Sequence, residues 1–275
     1  MPFVNSNKMI KRNIFFSLFF SATVLAFPIS LFGFPEKDFY LLTNIKMVIF
    51  IAIIMLMVRA AGVGVSFFKF AKYKFDRRVL PACLLIVAYL AIQLNPREFI
   101  FNHQFAVVLL LFSAGLLGAL AEELVFRVFI STNLYRAGFS PRRVIVVSSI
   151  FFSVIHTLNI FKFEYDLFSI LNQLVFAFFV GLLLGSLYFI TRSLLFVWIF
   201  HFLINIPGLL ARLSPSENFG NEKELSLADN IVSSVIFLLL MSPLFIVSMY
   251  YLRKIGNNGR VSNENSSVDN VLLNT

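Results

Sequence analysis

Apolar runs, most of about 18 residues or more and the third shorter, recur along almost the whole chain, separated by short polar links, and such runs mark helices that cross a bilayer. About eight such runs can be drawn, at residues 13–34, 45–66, 79–94, 104–133, 143–161, 167–190, 194–211 and 230–252. In hydrocarbon a helix satisfies its own backbone hydrogen bonds, so the pattern predicts an all-α fold, a polytopic membrane helical bundle. With 59% hydrophobic residues, 36 Phe and only 13% charged residues, a soluble domain is excluded.

The formal net charge of +9 gathers in the links. Lys8, Lys11 and Arg12 precede the first run, and Lys69 to Arg78, Arg136, Arg142, Arg143, Arg192 and Arg253 follow at alternate ends of the others. By the positive-inside rule this distribution places both termini in the cytoplasm. Orientation accounts for the basic excess, and no nucleic-acid partner is expected. The N-terminal basic cluster and apolar run resemble a signal peptide, but the run is long and no small-residue cleavage site follows, so a retained first span is expected. The single cysteine, Cys83, lies in an apolar run, which leaves no internal disulfide and no cysteine-based metal site.

Residues 1–255 read as one transmembrane domain without internal repeats, with a motif-bearing core at about 104–211. The Asn- and Ser-rich tail, 256–275, is expected to be disordered. The protein is therefore expected to be integral and multi-pass, in the cell membrane if the host is bacterial.

Few strongly polar side chains remain at depth, and they fall in three runs. The fourth carries Glu122, Glu123 and Arg127, the fifth His156 and Asn159, and the seventh His201 and Asn205. A charge near the bilayer centre costs roughly 2.5 to 3.5 kcal/mol, so partners are required. From a rise of about 1.5 Å per residue, Glu122, His156, His201 and Asn205 fall roughly 12 to 20 Å from the cytoplasmic boundary and can share one layer.

Residues four apart face one way on a helix, which allows Glu123 to pair with Arg127 and aligns His201 with Asn205. Glu122 points about 100° away from Glu123. One carboxylate is thus expected to be structural and the other to face a cavity. A carboxylate beside an imidazole can deprotonate a water, and a second imidazole with a carboxamide can hold an oxyanion. Together they would make a site for hydrolysing an amide. Singly, each of these residues is also compatible with a structural ion pair or hydrogen bond.

Several residues carry structural expectations. Gly138 followed by Ser140 and Pro141 reads as a helix stop and a new start, making the fourth and fifth spans an antiparallel pair. Gly181 and Gly185 permit close helix approach, and Asn159 and Asn172 read as interhelical hydrogen-bonding residues. Arg59 lies within the second run, where it can snorkel. His103 reads as loop surface.

The ordered set Glu-Glu-x-x-x-Arg (Glu122, Glu123, Arg127), Phe-x-x-x-His (Phe152, His156) and His-x-x-x-Asn (His201, Asn205) resembles the three motifs of the CAAX protease and bacteriocin-processing family, also called Abi. The resemblance covers about residues 115–210. The family often has a small residue after the arginine, where this chain has Val128. The resemblance implies an intramembrane endopeptidase acting on a membrane-associated, prenylated or leader-bearing protein or peptide. It implies that Glu122 and His156 activate water, that His201 and Asn205 stabilise the oxyanion, and that Glu123, Arg127 and Phe152 support them. No cofactor is required on this reading. Zinc is permitted, with Glu122, His156 and His201 as ligands. A non-catalytic bacteriocin-immunity or scaffold role is the alternative. A proton-coupled transporter would also use intramembrane Glu and His, but no internal duplication supports one. The partners expected are the substrate and the lipid bilayer.

Overall fold

The computed structural model describes residues 14, 35–62, 77–93, 105–161, 167–213 and 227–261, and among these every regular element is helical. The expected first span, 13–34, and His103 lie outside the described residues, apart from residue 14.

Helix α1 runs from Glu36 to Ala60. Pro35 holds an extended conformation at its N-cap, and Asp38 falls in the first turn, the end of the helix dipole that favours negative charge. At the other end Gly62 adopts φ 65°, which glycine reaches without steric cost, and donates its N–H to the Arg59 carbonyl. These two signals set the helix earlier than the apolar run suggests, at 36–60 rather than 45–66. Arg59 consequently sits exposed in the last turn.

The expected third span is a short helix, α2 (Leu80–Gln93), of 14 residues, led by a 3-10 turn over Arg77–Val79. At about 1.5 Å per residue its described part is shorter than a hydrocarbon core of about 30 Å, and residues 94–104 lie outside the described residues.

The fourth span is a rod from Phe105 to Arg136. It comprises α3 (Phe105–Glu123), a π-helical turn (Leu124–Ile130) and α4 (Ser131–Arg136). Gly138 at φ 86° stops it, and α5 (Pro141–Ile155) starts after an extended Ser140 with Pro141 in its first turn. The glycine stop and proline start therefore produce the expected helical pair. The Ser140 side chain makes no capping hydrogen bond. A 3-10 segment, His156–Phe161, ends α5.

The remaining helices are α6 (Leu167–Thr191), α7 (Leu194–Ala211) and α8 (Leu227–Val261). Ser193 caps α7, its hydroxyl accepting from the Phe196 N–H at 3.2 Å. Helix α8 continues to Val261, into the stretch expected to be a tail, and 262–275 lie outside the described residues. Among the described residues six helices are long and apolar enough to span a membrane.

Helix α6 is the most enclosed span and packs between α5 and α8, while α3 packs between α1 and α7. Two glycines explain the α5–α6 contact. A Cβ on Gly181 would stand 3.0 Å from Ser149 Cβ, and one on Gly185 would stand 3.2 Å from Ile145 Cγ2. Without a hydrophobic force between helices in lipid, such close approach is what holds them. Gly115 does the same for α3 and α7, since a Cβ there would come within 2.5 Å of Leu209 Cδ1.

Polar ties cross the bundle as well. Asn172 donates to Ser234 Oγ at 3.1 Å, an interhelical hydrogen bond of the expected kind. The Asn159 side chain is not among those described. Arg136 donates to the carbonyls of Ala61 and Gly62 at 2.8 and 2.9 Å, tying the end of α1 to that of α4. Exposed Ile231, Val235, Leu239 and Ile246 give α8 an apolar outer face suited to lipid.

Candidate active site

The polar residues of α3, α5 and α7 meet around one buried ion pair. Glu123 and Arg127 are both fully enclosed, with Glu123 Oε2 3.0 Å from Arg127 Nε. The four-residue spacing thus gives the expected pair. It is an ion pair without good hydrogen-bond alignment, since among the described residues neither of these two atoms has a hydrogen-bond partner, nor do Nη1 and Nη2 of Arg127. The guanidinium carbon lies 5.3 Å from the centre of the Phe152 ring, whose π face supplies a second favourable contact.

The π turn begins immediately after Glu123 and carries Arg127 in its middle. Its wider winding is closed by Ser131, whose backbone N–H and hydroxyl both reach the Phe126 carbonyl, the hydroxyl at 2.6 Å. Val128, where the family often has a small residue, is fully buried within this turn. π turns inserted in α-helices occur frequently at functional sites.

Glu123 reaches a second partner on another helix. Its Oε1 lies 2.8 Å from His201 Nδ1, and His201 is almost completely buried. A carboxylate held by Arg127 accepts, so Nδ1 carries the proton and donates. The other ring nitrogen, Nε2, is 3.7 Å from Glu122 Oε2. That gap is longer than a hydrogen bond. The Glu122 side chain is 19% exposed against 0% for Glu123, which separates the two carboxylates as their 100° offset anticipated.

His156 sits at the end of α5, half-buried, with Nδ1 2.6 Å from the Phe152 carbonyl. Because a carbonyl only accepts, Nδ1 donates and Nε2 is left as an acceptor. Phe152 is the hub of the cluster. Its ring centre is 4.7 Å from that of His156, 5.7 Å from that of His201 and 5.1 Å from that of Phe126. Asn205, one turn beyond His201, is half-buried, and its carboxamide makes no hydrogen bond among the described residues.

Six of the seven residues singled out in the sequence are joined by contacts in one cluster, with Asn205 one turn beyond His201, and the close carboxylate–imidazole contacts are made by His201. Among the described residues no ion-pair contact joins His156 to either glutamate. The fit to zinc follows from the same geometry. Among the described residues no three His, Cys, Asp or Glu side chains are placed to hold a metal ion. Glu122, His156 and His201 as they stand do not form a zinc ligand set.

Two structural contributors were not anticipated. The π turn has no signature in hydrophobic pattern. Trp198 donates from Nε1 to the Leu116 carbonyl at 2.8 Å, tying α7 to α3. Its place three residues before His201, on the same helix face, was the available signal.

The bundle and its enclosed cluster define an integral, helical membrane protein with a polar centre assembled from three spans. Residues 104–207 match the family model described as Rce1-like, type II CAAX prenyl endopeptidase. That segment carries all three motifs and is similar to the CAAX protease family they resemble. The match supports an intramembrane endopeptidase of the CAAX type. Comparison with curated proteins and with solved structures gave no significant match.

Proposed function

We propose that the protein is an intramembrane endopeptidase that hydrolyses a peptide bond of a membrane-associated protein or peptide at the Glu122 cluster, without a metal-dependent step. One observation carries the reading: Glu122 is partly exposed and stands 3.7 Å from His201 Nε2, while its neighbour Glu123 is enclosed and committed to Arg127 and His201.

In this reading Glu122 takes a proton from a water held beside it. The resulting hydroxide attacks the scissile carbonyl carbon, and the carbonyl oxygen becomes an oxyanion. Asn205 donates to that oxyanion through its carboxamide, and His201 donates from Nε2 when the ring carries its second proton. The carbon–nitrogen bond then breaks, and the leaving amine receives the proton that Glu122 took, directly or through His156 Nε2. Glu123 holds the His201 ring in position, much as a buried carboxylate orients the histidine of a serine protease. Phe152 packs both imidazoles and fixes the carbonyl that orients His156.

The test is cleavage by the purified protein in liposomes, using two fluorogenic peptides of one sequence, with and without a C-terminal prenyl group. Mass spectrometry of the products locates the broken bond. Cleavage of either peptide that is lost in Glu122→Gln supports the proposal, and preference for the prenylated form identifies the substrate class. Undiminished cleavage in Glu122→Gln would refute the site. Cleavage lost on removal of a stoichiometric bound metal would refute the metal-free account.

A further inference from the structure

We infer that Trp198 is a positioning residue for His201, holding α7 in register against α3 so that the imidazole meets the paired glutamates. The inference rests on the reading of His201 as part of the hydrolytic site. Its physical basis is a pair of polar ties made from one face of α7. The Trp198 indole N–H donates to the Leu116 carbonyl at 2.8 Å, and three residues later the His201 imidazole donates to Glu123 at 2.8 Å. Leu116 and Glu123 are seven residues, about two turns, apart on α3, so both acceptors also lie near one face.

A helical carbonyl has a second lone pair, so the indole adds a bond without breaking the α3 ladder. Between helices in lipid, such bonds and close packing set alignment. Leu209 against Gly115 supplies the close packing further along the same pair of helices. The indole is thus well placed to resist both sliding and rotation of α7 at the turn that carries His201. The geometry it guards is narrow, because His201 Nε2 is 3.7 Å from Glu122, and a displacement of about 1 Å in a reacting constellation costs on the order of 100-fold in rate.

The sequence contains one tryptophan, which allows a substitution finer than mutation. Biosynthetic replacement by benzothienylalanine keeps the ring outline and exchanges the N–H for sulfur, at Trp198 alone. 5-Fluorotryptophan, which retains the N–H, is the control. Two quantities are measured: kcat and KM on the cleaved peptide, and the rate at which diethyl pyrocarbonate modifies His201, located by mass spectrometry.

The expected result with benzothienylalanine is a fall in kcat of about tenfold or more, KM within about twofold, and faster modification of His201. The fluorinated protein is expected to match the natural one. Unchanged kcat and unchanged labelling, or equal losses with both analogues, would overturn the inference. If the protein shows no peptidase activity, the labelling rate alone still decides whether Trp198 holds His201. Should the protein carrying benzothienylalanine not fold, Trp198→Phe is read by the same criteria.

Discussion

His201 and Glu123 are joined by a 2.8 Å hydrogen bond from Nδ1 to Oε1, so the carboxylate that neutralises Arg127 on its own helix also orients an imidazole on another. Glu123 is therefore more than a counter-ion. It couples the integrity of the buried ion pair to the geometry of the site.

Removing either charge of the pair leaves the other enclosed and uncompensated. Glu123→Gln and Arg127→Leu are each expected to destabilise the folded protein by about 3 to 5 kcal/mol. The measurement is thermal or denaturant unfolding in detergent. The double variant is expected to recover part of this loss, and strictly additive losses would show that the two charges do not depend on one another.

Asn205 contributes no hydrogen bond to the fold among the described residues, so its loss should be felt in catalysis alone. Asn205→Ala is expected to lower kcat by about 100- to 1,000-fold, the range for one oxyanion donor, with unfolding unchanged. Steady-state cleavage of the fluorogenic peptide gives the first quantity and a detergent melt the second. A melt that falls in parallel with kcat would instead assign Asn205 to packing.

His156 is fixed through Nδ1 to the Phe152 carbonyl and leaves Nε2 available as an acceptor. His156→Ala is expected to reduce cleavage by about 100- to 10,000-fold, the range for a positioned proton-transfer group. Single-turnover cleavage checks it. Wild-type rates in this variant would place the proton transfers on Glu122 and His201 without it.

The two helix-packing glycines make a prediction away from the chemistry. Gly181→Val forces side-chain atoms into the Ser149 backbone and Cβ, where a Cβ alone would already be at 3.0 to 3.1 Å. It is expected to cost about 1 to 3 kcal/mol through overpacking, again read by unfolding. Gly118→Ala, with nothing within 4 Å of the added carbon, is expected to be tolerated and serves as the control.

Much of this architecture was legible because membranes simplify the reading. Long apolar runs declare helices, and seven polar residues in three of those runs had few places to go except toward one another. The Glu123–Arg127 pair, the close contact at Gly181 and Gly185, and the turn at Gly138 to Pro141 follow from local spacing alone. What pattern could not reveal was how far each helix extends and how one helix sits along another. The boundaries of α1 were set by Pro35 and Gly62 rather than by hydropathy, and α2 is described over 14 residues only. The partner of His201 depended on the register between α3 and α7. That register involves a tryptophan, a glycine contact and a π turn, none of which leaves a periodic trace. The sequence therefore picked out the residues of the polar cluster, while the contact between Glu122 and His201, rather than His156, came only with the structure.

Glu122, and not its enclosed neighbour, is the proposed base. The most direct measurement compares peptide cleavage by Glu122→Gln with that of the natural protein, alongside a detergent melt of each. Cleavage is expected to fall by about 100- to 10,000-fold while the melt stays unchanged, because Glu122 is outside the Arg127 ion pair. Cleavage retained within a few-fold, with a folded and inserted protein, would contradict it.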